Sequence, residues 1–167
     1  MTERRPVRFE LNGAPFSDYV APNQSLVEVL RTQAGATDVK YGCGEGVCGT
    51  CTVLIDGDPV SACLIFAVQA DGHAVQTVEG LAPTGGGRDA ALSPLQQAFR
   101  DAHGLQCGYC TPGMLMTMSA FLEEHLDPTE EEVRHALSGN LCRCTGYQHI
   151  VDAVLLAARR LREATPA

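Results

Sequence analysis

Eight cysteines fall into two sets of four, one in each half of the chain. The first set reads Cys43-x4-Cys48-x2-Cys51, with Cys63 further on; the second pairs Cys107-x2-Cys110 with Cys142-x-Cys144. Clustering of this kind is a strange way to fill a core with inert thiols. Four disulfides would require export to an oxidising compartment. The start, Met1-Thr2-Glu3-Arg4-Arg5-Pro6, carries twin arginines but no apolar run behind them. The sequence therefore reads as cytoplasmic, where thiols stay reduced and more often bind metal than each other.

The C-x4-C-x2-C…C spacing of the first set is the plant-type ligand pattern of a [2Fe–2S] cluster. Such a cluster with its four thiolates is an anion, and reduction adds further negative charge, so hydrogen-bond donors close to sulfur are needed. Gly42, Gly44, Gly46 and Gly49 crowd the same segment, and a glycine-rich loop presents backbone N–H groups in tight, left-handed turns. Lys40 and Tyr41 stand just before it. The second set is less specific, because zinc also uses C-x2-C pairs, although C-x-C is an awkward zinc spacing. Its pairs precede two expected helix starts, at Thr111-Pro112 and after Thr145-Gly146. Two helix N-termini facing each other would cradle an anion, with Arg143 as an added cation.

Five histidines invite a Rieske arrangement, but the cysteines already complete two four-ligand sets. His73, His103, His125, His135 and His149 are read as surface or packing residues. Glu123-Glu124 and Glu130-Glu131-Glu132 read as solvated helix faces and helix-start charges. No paired acid and base, no nucleophile with its base and no phosphate loop is visible. Gly85-Gly86-Gly87 lacks the incoming strand of a dinucleotide fingerprint.

The rest of the composition excludes other classes. A net charge of −8, with Arg4-Arg5 and Arg159-Arg160 as the only basic clusters, argues against nucleic acid as partner. No stretch approaches the ~20 apolar residues of a membrane span. With no tryptophan and 5 % aromatics, the 167-residue chain needs stabilisation beyond large buried rings, and the cysteine sites are the candidates.

Periodicity divides the chain the same way. Val7 to Val20 alternates around an Asn12-Gly13 turn and predicts a hairpin. Ser25 with Glu28 is a capping box opening a helix on Leu26, Val27, Val29 and Leu30. Cys51 to Ile55 reads as a strand ended by Asp56-Gly57, and His73 to Val78 alternates weakly. After the Pro83-Thr84-Gly85-Gly86-Gly87 linker the pattern is helical. Ser93-Pro94-Leu95-Gln96, Thr111-Pro112 and Thr129 with Glu132 mark three starts, and a fourth helix runs from about Gln148 to Glu163. The reading is an α+β chain: residues 1–82 an α+β unit, 83–92 a linker, 93–167 an all-α unit. Val151, Val154, Leu155 and the Met114 to Met118 stretch present apolar helical faces expected to meet partner subunits.

Three segments carry a resemblance: Gly42-Cys43-Gly44-Glu45-Gly46-Val47-Cys48-Gly49-Thr50-Cys51-Thr52-Val53; Gln106-Cys107-Gly108-Tyr109-Cys110-Thr111-Pro112-Gly113; and Gly139-Asn140-Leu141-Cys142-Arg143-Cys144-Thr145-Gly146-Tyr147. They resemble the iron–sulfur subunits of the xanthine oxidase and carbon monoxide dehydrogenase family of molybdenum hydroxylases, over nearly the whole chain. Thr50 stands where alanine or serine is usual, and Asp38-Val39 where Gly-Thr is commoner; neither touches a ligand. Phe66 to Gly72 and His103 to Gln106 look most like the carbon monoxide dehydrogenase and quinoline-type members.

The resemblance implies a plant-type ferredoxin-like β-grasp domain followed by a four-helix [2Fe–2S] domain with pseudo-twofold symmetry. It implies two [2Fe–2S] clusters held by Cys43, Cys48, Cys51 and Cys63 and by Cys107, Cys110, Cys142 and Cys144. It also implies a large subunit with a molybdenum–pterin cofactor and a medium subunit with FAD, as a heterotrimer or its dimer. Gln106 and Cys144 are then the residues that approach the pterin. Electrons would pass from molybdenum through the helical-domain cluster, then the ferredoxin-domain cluster, to flavin. Substrate choice would rest with the large subunit.

Overall fold

A computed structural model of the chain describes residues 3–83 and 91–164; the glycine run of the expected linker lies outside the described residues. The first hairpin forms as its alternation predicts. Strands β1 (Arg5–Leu11) and β2 (Ala14–Val20) pair antiparallel about Asn12 and Gly13, whose φ values of 51° and 81° are those of a type I′ turn. Phe9 lies directly opposite Phe16, with ring centroids 4.7 Å apart. Val7 and Phe9 point inward and are buried. Helix α1 (Leu26–Thr32) starts at Ser25, whose N–H donates to the Glu28 carboxylate at 3.0 Å, and buries Leu26, Val27, Val29 and Leu30.

Strand β3 (Thr52–Ile55) turns at Asp56-Gly57 into β4 (Asp58–Ser61), and β5 (Ala74–Gln76) completes a mixed sheet of order β2-β1-β5-β3-β4. The short β5 is central, parallel to β1 and antiparallel to β3. Sequence reading finds no β4, because Asp58-Pro59-Val60-Ser61 offers a proline and a single large apolar residue. Its place on the sheet edge explains the tolerance, since an edge strand can spare one donor.

Beyond residue 91 lie α2 (Pro94–Asp101), α3 (Thr111–Glu124), α4 (Glu130–Ala136) and α5 (Gln148–Ala164). Each of the four starts near the residue predicted from its cap or proline. Leu95 and Phe99 of α2 pack with Ile150, Val154 and Ala157 of α5, and Met114, Met118 and Leu122 of α3 close the same core.

The apolar faces expected to meet partner subunits are covered by the chain itself. Met114, Met116, Met118, Val151 and Val154 are all buried, while Leu155 is half-buried. The reason is the position of α3, which packs on the helical core with one face and on β3 and β4 with another. A helix apolar all round is the kind that neighbours enclose.

Candidate metal centres

Each cysteine set is assembled from loops that the elements above hold in place. In the first, Cys43, Cys48 and Cys51 lie on the turn-rich segment entering β3, and Cys63 follows β4. Cys43 is exposed and accepts from the Glu45 N–H at 3.5 Å. That donor, then the Cys48 thiol and the Val47 and Cys48 amides, hold its thiol down at about 6, which favours the thiolate. Cys51, only 2 % exposed, is pushed the other way, to about 12, chiefly by burial and by the neighbouring Cys63 thiol. The Cys48 thiol bears on Cys43, and the Cys63 and Cys48 thiols bear on Cys51, so the four cysteines share one site.

The second set repeats the arrangement at helix ends. Cys110 is the residue before α3, and Cys142 and Cys144 lie on the turn that feeds α5. Cys107 and Cys144 sulfurs approach to 3.5 Å, and Cys110 meets Cys142. Burial is the main cause raising Cys110 to about 12. Burial also opposes ionisation of Cys142. Three donors overcome it: the Thr145 hydroxyl at 3.2 Å and the N–H groups of Thr145 and Cys144 at 3.4 and 3.5 Å hold the thiol below its ordinary value. Cys144 is raised, first because its thiol shares a hydrogen bond with Cys107. Thus the loops that lead into α3 and α5 bring four sulfurs to one site, with the Cys144 and Thr145 amides and the Thr145 hydroxyl as its donors.

Paired sulfurs are the donor set that a two-iron cluster calls for, since each iron takes two thiolates and two bridging sulfides complete it. A tetrahedral zinc site needs four donors converging on one point. Among the described residues no three His, Cys, Asp or Glu side chains are disposed around a single ion.

The remaining expectations sort as follows. Lys40 donates to the Thr37 carbonyl at 2.8 Å and is spent on its own loop. The Tyr41 hydroxyl lies against Gly44, 2.9 Å from where a Cβ there would sit. Arg143 is exposed on the rim of a 260 Å³ crevice shared by cysteines of both sets. His73 bonds Asp56 at 2.5 Å and His125 stacks on Phe121, both away from the thiols. Gln106 and Cys144 are exposed, and among the described residues the Gln106 amide has no hydrogen-bond partner.

Sequence reasoning missed the residues that hold the second loop. The Tyr147 phenol accepts from the Cys142 N–H at 2.8 Å and donates to the Asn140 carbonyl at 3.0 Å. Asn140 is buried, and its side chain donates to the Gly49 carbonyl at 2.9 Å, joining the two sets. Both lie in the Gly139 to Tyr147 segment and flank its C-x-C pair; only their partners were invisible.

Comparison with known proteins agrees with this geometry. A family model described as the 2Fe-2S iron-sulfur cluster binding domain matches residues 9–80, and one described as the [2Fe-2S] binding domain matches 77–155. The chain is 49 % identical to the nicotine 6-hydroxylase small subunit of Paenarthrobacter nicotinovorans, over 92 % of this chain and 90 % of that one. It is 44 % identical to the xanthine dehydrogenase iron-sulfur-binding subunit of Escherichia coli O157:H7, over 92 % and 94 %. The crystal structure of quinoline 2-oxidoreductase from Pseudomonas putida 86 superimposes with a TM-score of 0.89 at 46 % identity, covering 96 % of this chain and 98 % of that one. With a ferredoxin-like domain, a helical [2Fe–2S] domain and these relatives, the chain belongs to the iron–sulfur small subunits of the xanthine dehydrogenase family of molybdenum hydroxylases.

Proposed function

We propose that each cysteine set holds one [2Fe–2S] cluster and that the chain relays electrons from a molybdenum–pterin centre on a large partner subunit to FAD on a medium one. Such clusters take up and release one electron at a time. The observation that carries the reading is the gathering of the eight cysteines into two sets of four, the second with the Cys107 and Cys144 sulfurs 3.5 Å apart, each set lying within a match to a [2Fe–2S]-binding family model.

The chain's own residues supply the environment. The Glu45, Cys144 and Thr145 amides and the Thr145 hydroxyl point donors at sulfur, offsetting negative charge. Burial of Cys51 keeps water from one side of the first site. Cys107 and Cys144 face outward, and Gln106 beside them has donors and an acceptor free for a pterin edge. We assign residues 1–82 and 93–167 to the two domains, with 83–92 joining them. We place the protein in the cytoplasm, in a heterotrimer or its dimer, and the names of several relatives as small or iron-sulfur-binding subunits support such an assembly.

Metal analysis of the purified complex tests the reading. It should give about four irons and four acid-labile sulfides per small subunit, with two paramagnetic signals on reduction. Stoichiometric zinc and no visible absorption would overturn it. Gln106→Ala should leave both sites loaded yet slow reduction by substrate; a change in thermal stability alone would remove the pterin contact.

A further inference from the structure

The two cysteine loops are hydrogen-bonded to each other beside their ligands. The Leu141 N–H donates to the Cys48 carbonyl at 2.9 Å, so the residue before Cys142 holds the backbone of a ligand from the other set. One residue earlier, the Asn140 side chain donates to the Gly49 carbonyl at 2.9 Å. The Tyr109 phenol donates to the Tyr41 carbonyl at 2.8 Å, and the Thr50 hydroxyl returns a bond to the Tyr109 carbonyl at 3.2 Å.

Asn140, 3 % exposed, is where this seam reaches a ligand on each side. Its carbonyl accepts from the Tyr147 phenol at 3.0 Å, and that phenol accepts from the Cys142 N–H at 2.8 Å. A line of hydrogen bonds therefore runs from Gly49, next to Cys48, through Asn140 and Tyr147 to Cys142. The Gly49 carbonyl also accepts from the Thr52 hydroxyl at 2.7 Å and the Thr52 N–H at 3.2 Å. It would keep partners without Asn140, so what the amide adds is the tie across the loops.

Such a tie has an energetic consequence. Gly49 at φ 63° and Gly146 at φ 67° place both loops in left-handed turns, and ordering turns of this kind costs conformational entropy. A metal group bound by one cysteine set orders its own loop. Where the loops share hydrogen bonds, that ordering is already in place when the other set binds, and the effect is reciprocal.

We propose that Asn140 is a positioning residue that couples the two sites, so that a cluster in either cysteine set strengthens the hold of the other. This rests on the reading that both sets hold clusters.

The test follows loss of the clusters from the purified native complex. Wild type, Asn140→Ala and Asn140→Asp, which keeps the shape without the donor, are assayed for iron and sulfide and then exposed to bipyridine. The two paramagnetic signals are recorded separately over time. In the wild type both should fade with one shared rate. In the variants the two rates should separate by about tenfold. Independent rates in the wild type, or a shared rate in the variants, however fast, would overturn the proposal, because a merely structural asparagine would speed both losses together. If Asn140→Ala does not load, separated rates in Asn140→Asp support the coupling, and failure of both to load overturns it in favour of a folding role. A wild-type complex without iron and sulfide strikes down the cluster reading and this inference together; a loaded wild type with independent rates strikes down this inference alone.

Discussion

Single atoms decide how closely the two cysteine loops approach. A Cβ on Gly113 would sit 2.2 Å from the Gly49 carbonyl oxygen, and one on Gly49 would sit 2.3 Å from the Gly139 carbonyl oxygen. Both obstacles are backbone, so neither can swing aside. Gly113→Ala should therefore cost roughly 3 kcal/mol or more, from overpacking in a site that cannot relax. Gly139 is the internal control. It belongs to the same seam, yet a Cβ there meets nothing within 4 Å, so Gly139→Ala should stay within about 0.5 kcal/mol of wild type. Urea midpoints of the three proteins decide the matter, and equal losses for both alanines would refute the close approach. Tyr147→Phe belongs at the same scale. Losing the phenol that serves the Cys142 N–H and the Asn140 carbonyl should cost about 1–3 kcal/mol and loosen the second loop first, a difference visible by amide exchange at Cys142.

At the scale of elements, caps and interhelical pairs carry the response to acid. The Thr129 N–H, and then its hydroxyl, hold the Glu132 carboxyl below its ordinary value at the start of α4. Arg160 does the same for Asp101, at 2.8 Å across α2 and α5. Both carboxyls take up protons more readily unfolded than folded, so their contribution is present above the ordinary carboxylate range and lost as pH falls through the folded values. The urea midpoint should decline between about pH 5 and 3, and Glu132→Gln with Asp101→Asn should flatten that decline. Glu79 works in the opposite sense. Its carboxyl is raised by burial and then by Asp38, so its share is present in acid and lost as pH rises. Most elements were legible because their signals are local: turn residues at Asn12-Gly13, capping boxes at Ser25, Ser93 and Thr129, a proline opening α3. Strand β4 was not, since its strandness comes from β3 beside it. The candidate site divides the same way. Eight thiols can be read from spacing, but which sulfur faces which, and the clasp by Asn140 and Tyr147, are properties of two loops brought together across the chain.

For the whole molecule the decisive feature is α3, enclosed by helices on one side and by β3 and β4 on the other. Truncating Met118, fully buried in the helical core, should cost about 2–5 kcal/mol in Met118→Ala. Met116 is equally buried but stands outside that apolar cluster, on a helix that also packs against the sheet. Unfolding of Met118→Ala and of Met116→Ala, monitored at the sheet and at the helices, should therefore give coincident transitions in both variants, because neither half keeps its surface covered without the other. Separate transitions would show that the contact is superficial. The connection between residues 83 and 91 then serves stoichiometry more than cohesion. Two polypeptides, ending and beginning within that span and expressed together, should find each other and purify as a one-to-one pair, while either alone would expose the bed or the flank of α3 and precipitate.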